Sequence, residues 1–319
     1  MIAGPAWAPG MRNKSTSRKS SSKGREIRAS GEGRKSAVPG ELPPGLYVTA
    51  TPIGNAKDIT LRALEVLGAC DLIVAEDTRV TAKLLAIHGI AKPLLSYNDH
   101  NAARERPKIL DRLRAGGRLV LVSDAGTPLV SDPGFKLVRE AIAEALDVHV
   151  VPGVSAPLAA LVLSGLPTDR FFFAGFLPTG RGERQRALTE FKAQPATLMF
   201  FESAQRLADS LADMAEILGS RSAVVARELT KMHEEVRRGA LSELARRYAQ
   251  EGAPKGEITV LVGPPAETSP DMARADSLLA KALAFMPVRA AAELVAEAVE
   301  APRHAIYQRA LALRQDVER

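Results

Sequence analysis

Three stretches of this 319-residue chain crowd polar, glycine and proline residues behind short apolar runs, and chemistry is expected there. They are Thr51-Pro-Ile-Gly-Asn55, Glu76-Asp-Thr-Arg79 and the segment from Ser123 to Gly134, which reads Ser-Asp-Ala-Gly-Thr-Pro-Leu-Val-Ser-Asp-Pro-Gly. A strand-to-helix connection ordinarily takes about 2–6 residues, so the last segment is long. Its two glycines and two prolines fix a backbone that can offer N–H and C=O groups to a polar small molecule. Pro152-Gly-Val-Ser-Ala156 repeats the pattern, although Ser155 could simply cap a helix. Common fingerprints are missing. No Gly-x-Gly-x-x-Gly follows the first apolar run and no Walker loop occurs, so the usual nucleotide sites are not expected. The histidines, His88, His100, His149, His233 and His304, are scattered, and the single cysteine, Cys70, excludes an internal disulfide or a cysteine zinc cluster. No metal site is expected.

These loops need elements to hold them. Leu46–Thr51, Asp71–Ala75, Pro93–Tyr97, Arg118–Ser123 and Val148–Val151 read as short buried strands. Helical patterns separate them, the first with Leu61, Leu64 and Leu67 on one face, a later one over 101–115 closed by Gly116-Gly117. Five alternations of strand and helix predict a mainly parallel sheet with helices on both faces. From Pro152-Gly153 onward a second unit reads as helix 155–164, strand 171–176, helix 182–193, strand 196–201, helix 203–218, strand 222–226, a short strand near 234–238, helix 241–250 and strand 256–262. Its mixture of hairpin and crossover connections predicts a mixed sheet. A Gly-Pro-Pro linker after 262 leads to a helix ending near Phe285 and to two shorter ones, 288–299 and 303–315, spaced like a helix-turn-helix. That last pair is too short to stand alone and is expected to lean on the body or on a partner.

Composition narrows the class. Hydrophobic residues make up 46% and charged ones 25%, enough for substantial cores and incompatible with wholesale disorder. No apolar run approaches the roughly 20 residues of a membrane span, so a cytoplasmic protein without membrane contact is expected. The net charge is +6, yet residues 1–45 carry nine basic and three acidic groups, leaving 34 of each sign in the rest. The surplus therefore lies in a Ser-, Lys- and Arg-rich tail, which reads as a disordered arm or a transit peptide.

Six short motifs then occur in register: Thr51–Asn55 with Asp58-Ile-Thr60, Glu76–Arg79, Ser123-Asp-Ala-Gly-Thr-Pro128, Phe200-Phe-Glu-Ser203, Ala226-Arg-Glu-Leu-Thr-Lys231 and Lys255-Gly-Glu-Ile-Thr259. Together they resemble the tetrapyrrole-methylase superfamily, and within it the branch that methylates small-subunit ribosomal RNA. The likeness covers about residues 45 to 315. It implies an α/β fold of two domains, a parallel-sheet first domain and a mixed-sheet second domain, followed by a C-terminal helical module. The implied boundaries are a disordered basic tail over 1–44, α/β domains over 45–152 and 153–264, and a linker with a helical RNA-binding module over 265–319. The implied activity is S-adenosylmethionine-dependent 2′-O-methylation of a cytidine ribose in 16S ribosomal RNA, the small ribosomal subunit being the partner, with a homodimer as one possible assembly.

By the same resemblance Ile53, Thr127, Val130, Val154 and Ser155 would form one wall of an S-adenosylmethionine cleft, and Phe201, Ala226 and Thr259 the other. A ribose hydroxyl needs its proton removed, so a base is expected near the acceptor. Asp77, His100 and Lys231 are the candidates, although Asp77 could pair with Arg79, His100 could cap the next helix, and Lys231 could hold a phosphate. Arg181, Arg184 and Arg186, after Leu177-Pro-Thr-Gly180, read as a basic loop for RNA phosphates. Arg303 and Arg309, placed near one face of the last helix, are expected to join them. Two other readings stay open: a methylase of a small tetrapyrrole-type substrate, against which the terminal helices weigh, and a non-catalytic RNA-binding protein, which would leave the loops at 51–55 and 123–134 unexplained.

Overall fold

The computed structural model describes residues 42–265, 272–299 and 301–317; nearly all of the basic tail lies outside the described residues. Gly45–Thr49 (β1), Leu72–Ala75 (β2), Leu94–Ser96 (β3), Arg118–Val122 (β4) and Val148–Val151 (β5) form an all-parallel sheet in the order β3-β2-β4-β1-β5. Parallel strands covered on both faces must be apolar at nearly every position, as these runs are. Along β4 the side chains alternate between two cores. Leu119 and Leu121 pack with Ile109 and Leu113 of Ala102–Arg114 (α3) and Leu137 of Phe135–Ala143 (α4). Val120 and Val122 pack with Val66 and Leu67 of Leu61–Ala69 (α1) and Leu85 of Thr78–Ile87 (α2). Thr60 starts α1 by accepting the Ala63 N–H at 3.1 Å, the cap that its position suggests.

The second sheet is mixed. Phe171–Phe176 (β6), Thr197–Glu202 (β7), Ser222–Arg227 (β8), Glu235–Ala240 (β9) and Ile258–Val262 (β10) lie in the order β6-β7-β10-β8-β9. Only β6 and β7 run parallel. Leu198, Phe200, Val225 and Val260 point to one face, beneath Arg181–Glu190 (α6), Leu207–Leu218 (α7) and Leu241–Glu251 (α8). Met199, Val224, Ala226 and Leu261 point to the other, where they meet Ala156–Ser164 (α5) and Ile53 from the first half. The segment expected as one helix from 203 opens with a separate 3-10 turn over Ala204–Arg206 before α7 begins.

The terminal module departs from expectation in two respects. Met272–Leu283 (α9), Val288–Ala298 (α10) and Arg303–Val317 (α11) share a core of their own, built from Leu279, Ala291, Val295 and Ile306 among others. The pair α10 and α11 is thus completed by α9, which gives short helices the tertiary burial that they cannot supply alone. Arg303 and Arg309 do not share a face either: six residues turn a helix by about 600°, so their directions differ by about 120°. Arg303 reaches Glu293 of α10 and Arg309 grips Asp276 of α9. Among the described residues no helix is long and apolar enough to cross a membrane.

Ile306 is fully buried in this three-helix core. Ile306→Ala should therefore destabilise the module by about 2–5 kcal/mol. Limited proteolysis should show faster cutting within 272–317 and an unchanged pattern over the two sheets. Equal acceleration everywhere would mean that module and sheets unfold as one unit.

Candidate active site

Because β2, β4 and β1 are adjacent and parallel, the loops after them emerge side by side at one edge, where open sheets bind ligands. Hydrogen bonds tie them together. Thr51 and Gly126 exchange backbone N–H bonds at 2.8 and 3.0 Å, and Thr51 Oγ1 donates to the Ser123 carbonyl at 3.2 Å. The Asp77 N–H donates to Asp124 Oδ1 at 2.9 Å. Leu129 and Ser131, neither of them glycine, hold positive φ angles of 74° and 67° within the long loop. Backbone strain of this sort costs on the order of 1–3 kcal/mol per residue and gathers at functional sites.

The first half meets the second at the loop after β1. A Cβ on Gly54 would lie 2.4 Å from Lys231 Cγ and 2.8 Å from Thr230 Oγ1, so only glycine fits there. Beside it the Asn55 N–H donates to Thr230 Oγ1 at 3.1 Å. Between the halves lies a cavity of about 630 Å³, within the range of small-molecule sites. Ile53 and Val130 supply apolar wall from one side, Phe201, Ala226 and Leu229 from the other. Phe201, Thr259 and Ala226 are direct cross-strand partners on β7, β10 and β8, a single row facing the cavity.

Of the eight residues expected at the cleft, Ile53, Thr127, Val130, Ser155, Phe201, Ala226 and Thr259 line it. Val154 stands behind them, its carbonyl accepting the Thr127 hydroxyl at 3.0 Å. Ser155 precedes α5 without a side-chain cap bond, so its hydroxyl is not spent on the helix.

A second hollow of about 540 Å³ opens beside the first, and Glu76 and Asp124 line both. Asp77 and His100 lie in this second hollow, whereas Lys231 belongs to the opposite half. Asp77 caps α2, accepts the Arg79 N–H at 2.8 Å and pairs with its guanidinium at 2.6 Å. The hydrogen bonds from Arg79 hold this carboxyl down to about 2, so it is a poor proton acceptor near neutrality. Lys231 bridges Glu228 at 2.8 Å and Glu257 at 3.0 Å. Burial would lower its pKa, but the two carboxylates outweigh burial and hold it above the ordinary lysine value, which keeps it charged. His100 is exposed; Asn101, not His100, occupies the cap position of α3.

Sequence reasoning passed over three other carboxylates, Glu76, Asp124 and Asp132, all facing the cavity. Burial pushes each above the ordinary carboxylate value. Their neighbours add to it: Asp132 and Asp124 act on Glu76, Asp77 on Asp124, and Asp124 on Asp132. All three stand in the loops already singled out, but nothing in a loop's sequence tells which side chain turns inward. Among the described residues no three His, Cys, Asp or Glu side chains converge as metal ligands do.

The expected basic loop is corrected. Residues from Arg181 onward form α6, and Arg184 is buried, pairing with the equally buried Asp213 of α7 at 2.5 Å and donating to the Thr179 carbonyl. It holds α6 to α7 and is not open to a phosphate. Arg181 is exposed and shared between Asp213 and Glu216, while Arg186 is exposed with no ion pair among the described residues.

A parallel and a mixed sheet facing one another across an apolar-walled cavity define a methyltransferase of the tetrapyrrole-methylase class. Residues 45–245 match the model described as Tetrapyrrole (Corrin/Porphyrin) Methylases, and the chain belongs to that family. Residues 269–314 match the RsmI C-terminal HTH domain. Its relatives include the Ribosomal RNA small subunit methyltransferase I of Mesorhizobium japonicum, 51% identical over 86% of this chain and 93% of its own length. The protein of the same name from Erythrobacter litoralis is 50% identical over 86% of this chain and 96% of its own. Among solved structures, cobalt precorrin-4 methyltransferase superposes with a TM-score of 0.53 at 21% identity, covering 68% of this chain and 94% of its own. A uroporphyrin-III C-methyltransferase from Thermus thermophilus, in complex with S-adenosyl homocysteine, gives 0.50 at 21%, over 68% and 96%. The methyl donor of the family is S-adenosylmethionine.

The residues present fit that donor: apolar walls suit an adenosyl group, and the carboxylates at Glu76, Asp124 and Asp132 suit a cationic ligand. Thr127→Trp should fill the cavity and weaken S-adenosylmethionine binding at least about tenfold, a loss of about 1.4 kcal/mol. Calorimetry gives the affinity, and an unchanged melting curve shows that the fold survives. Unchanged affinity would place the donor elsewhere.

Proposed function

We propose that this chain transfers a methyl group from S-adenosylmethionine to the 2′-hydroxyl of a cytidine ribose in 16S ribosomal RNA of the small subunit. One observation carries the choice of RNA over a small tetrapyrrole. Solved precorrin and uroporphyrin methyltransferases cover 68–69% of this chain, whereas residues 269–314 match a domain of the RNA-modifying relatives. A catalyst for a small substrate has no need of a separately cored helical module.

In this reading the donor supplies an electrophilic methyl group on a positively charged sulfur. Ile53, Val130, Phe201 and Ala226 bury the adenosyl part; Thr127, Ser155 and Thr259 offer hydroxyls to its polar ends, with Val154 fixing Thr127. Holding both reactants in the line of displacement supplies much of the acceleration. RNA reaches such a site as an unpaired, splayed nucleotide while backbone phosphates are held outside. Arg186, Arg181, Arg303 and Arg309 are proposed for those phosphates. Apart from Arg186 they are paired at the surface, but exposed ion pairs are worth only about 0–1 kcal/mol, so a phosphate can displace the carboxylate. The domains proposed for these tasks are 45–152 and 153–264 around the donor, and 265–319 on the RNA.

The test is nucleoside mass spectrometry of small subunits that lack ribose methylation, after incubation with the chain and the donor. The expected product is 2′-O-methylcytidine. Methyl uptake by a porphyrinogen and none by ribosomal RNA would reverse the choice.

We further propose a homodimer through α5, because Leu158 and Val162, one turn apart, are 49% and 81% exposed on a helix with almost no polar residue. Val162→Glu should turn a dimer into a monomer in sedimentation velocity. A monomeric wild-type protein would refute the assembly.

A further inference from the structure

The two hollows meet at two side chains. Among the described residues, Glu76, at the carboxyl end of β2, and Asp124, at the carboxyl end of β4, are the ones that line both. The larger hollow has the apolar walls that a methyl donor requires; the smaller is polar, bordered by Ser96, Asn98, Asp99 and His100. In-line displacement sets the attacking oxygen opposite the leaving sulfur, with the methyl between them. With the donor in the larger hollow, the attacking hydroxyl belongs at the junction, approached from the smaller one.

The two junction carboxylates are not equivalent. Asp124 is committed to the loop framework, since its Oδ1 accepts the Asp77 N–H at 2.9 Å. Glu76 makes no ion pair among the described residues, and the Asp124 backbone beside it only partly offsets the effect of burial on its carboxyl. Nearby Arg79, the cation that could have neutralised it, is turned onto Asp77. We infer that Glu76 is the general base, taking the 2′-hydroxyl proton of the acceptor ribose at the junction of the two hollows. This rests on the ribose methylation proposed above.

The step balances. As the 2′-oxygen forms its bond to the methyl carbon, the carbon–sulfur bond breaks and its electron pair stays on sulfur, leaving a neutral thioether. The hydroxyl proton passes to the Glu76 carboxylate and then to water in the smaller hollow. The charged groups facing Glu76 are Asp124 and Asp132 from the loop after β4, Asp99 and His100 from the loop after β3, and Asp77 with Arg79 beside it. Burial and the neighbouring acids lift its carboxyl above the ordinary glutamate value, in the direction that strengthens a base. The sign for activity follows: the ionised form acts, so the rate falls as pH drops through this raised value.

The experiment is single-turnover methylation of small subunits by wild type, E76Q and D124N across pH, with donor affinity measured in parallel. At saturating S-adenosylmethionine E76Q should lose about 100-fold or more, the scale of a general base, a loss well beyond any drop in donor affinity measured beside it. It should also lose the acid limb of the pH profile, which a purely structural role would leave in place. D124N should keep that limb. An active wild type with an E76Q of similar rate, or with the acid limb intact, overturns the role of Glu76. A wild type that transfers nothing to ribosomal RNA overturns the ribose-methylation reading itself and the base with it.

Discussion

The close approach at Gly54 is the constraint on which the site depends. Packing the backbone of this loop against Leu229, Thr230 and Lys231 leaves no room for a side chain, and the Asn55–Thr230 hydrogen bond fixes the register of the contact. Ile53, next in line, then enters the core formed by α5 and the second sheet. With the halves held there, the row Phe201, Thr259 and Ala226 faces the loop from Gly126 to Val130 at a set distance. Gly175, at the bulge in β6, comes close to Ser131 on the far side, where an added Cβ would lie 3.2 Å from the hydroxyl. Two backbone approaches thus bracket the cavity and give it a width that neither sheet sets by itself.

Electrostatics divide the same region by function. Where carboxylates serve structure they are paired: Asp77 with Arg79, Asp213 with Arg184, Glu202 with Arg206. Removing one partner from a buried pair such as Arg184–Asp213 leaves an uncompensated charge, which is why such pairs hold elements in place. Glu76 and Asp132, by contrast, are half-buried without an ion pair among the described residues. Partial burial without a cation is unfavourable for an anion, and a cationic ligand in the cavity relieves it. The polar cost carried by the free fold becomes part of the attraction for the donor.

The terminal module follows a different logic. Its three helices bury small side chains, Ala275, Ala291, Ala292 and Ala310, so their backbones pack closely around Leu279 and Ile306. Ion pairs from α11 to both neighbours fasten the outside. Being exposed, these pairs add little to stability and leave their arginines within reach of phosphates.

How much could be read from the chain depends on the range of the interaction responsible. Strands such as Leu72–Ala75, helices such as Ala102–Arg114 and the order of the loops follow from periodicity, caps and breakers, which act between residues close in sequence. Thr127, Phe201 and Thr259, which line the cavity, sit in motifs whose register the family likeness carries, so their common place was within reach of the sequence. Partners were not legible. That Arg184 is enclosed by Asp213, that Arg309 belongs to Asp276, and that α9 completes the terminal core depend on which helices become neighbours. The choice among the acids after β2 was not legible for the same reason. Asp77 and Glu76 are adjacent in sequence and chemically alike, yet one turns outward to Arg79 and the other inward to the junction with Asp124. Local sequence placed both acids at the end of β2; only the insertion of β4 beside β2, bringing a loop from nearly fifty residues away (47 between Asp77 and Asp124), gave one of them a cavity to face.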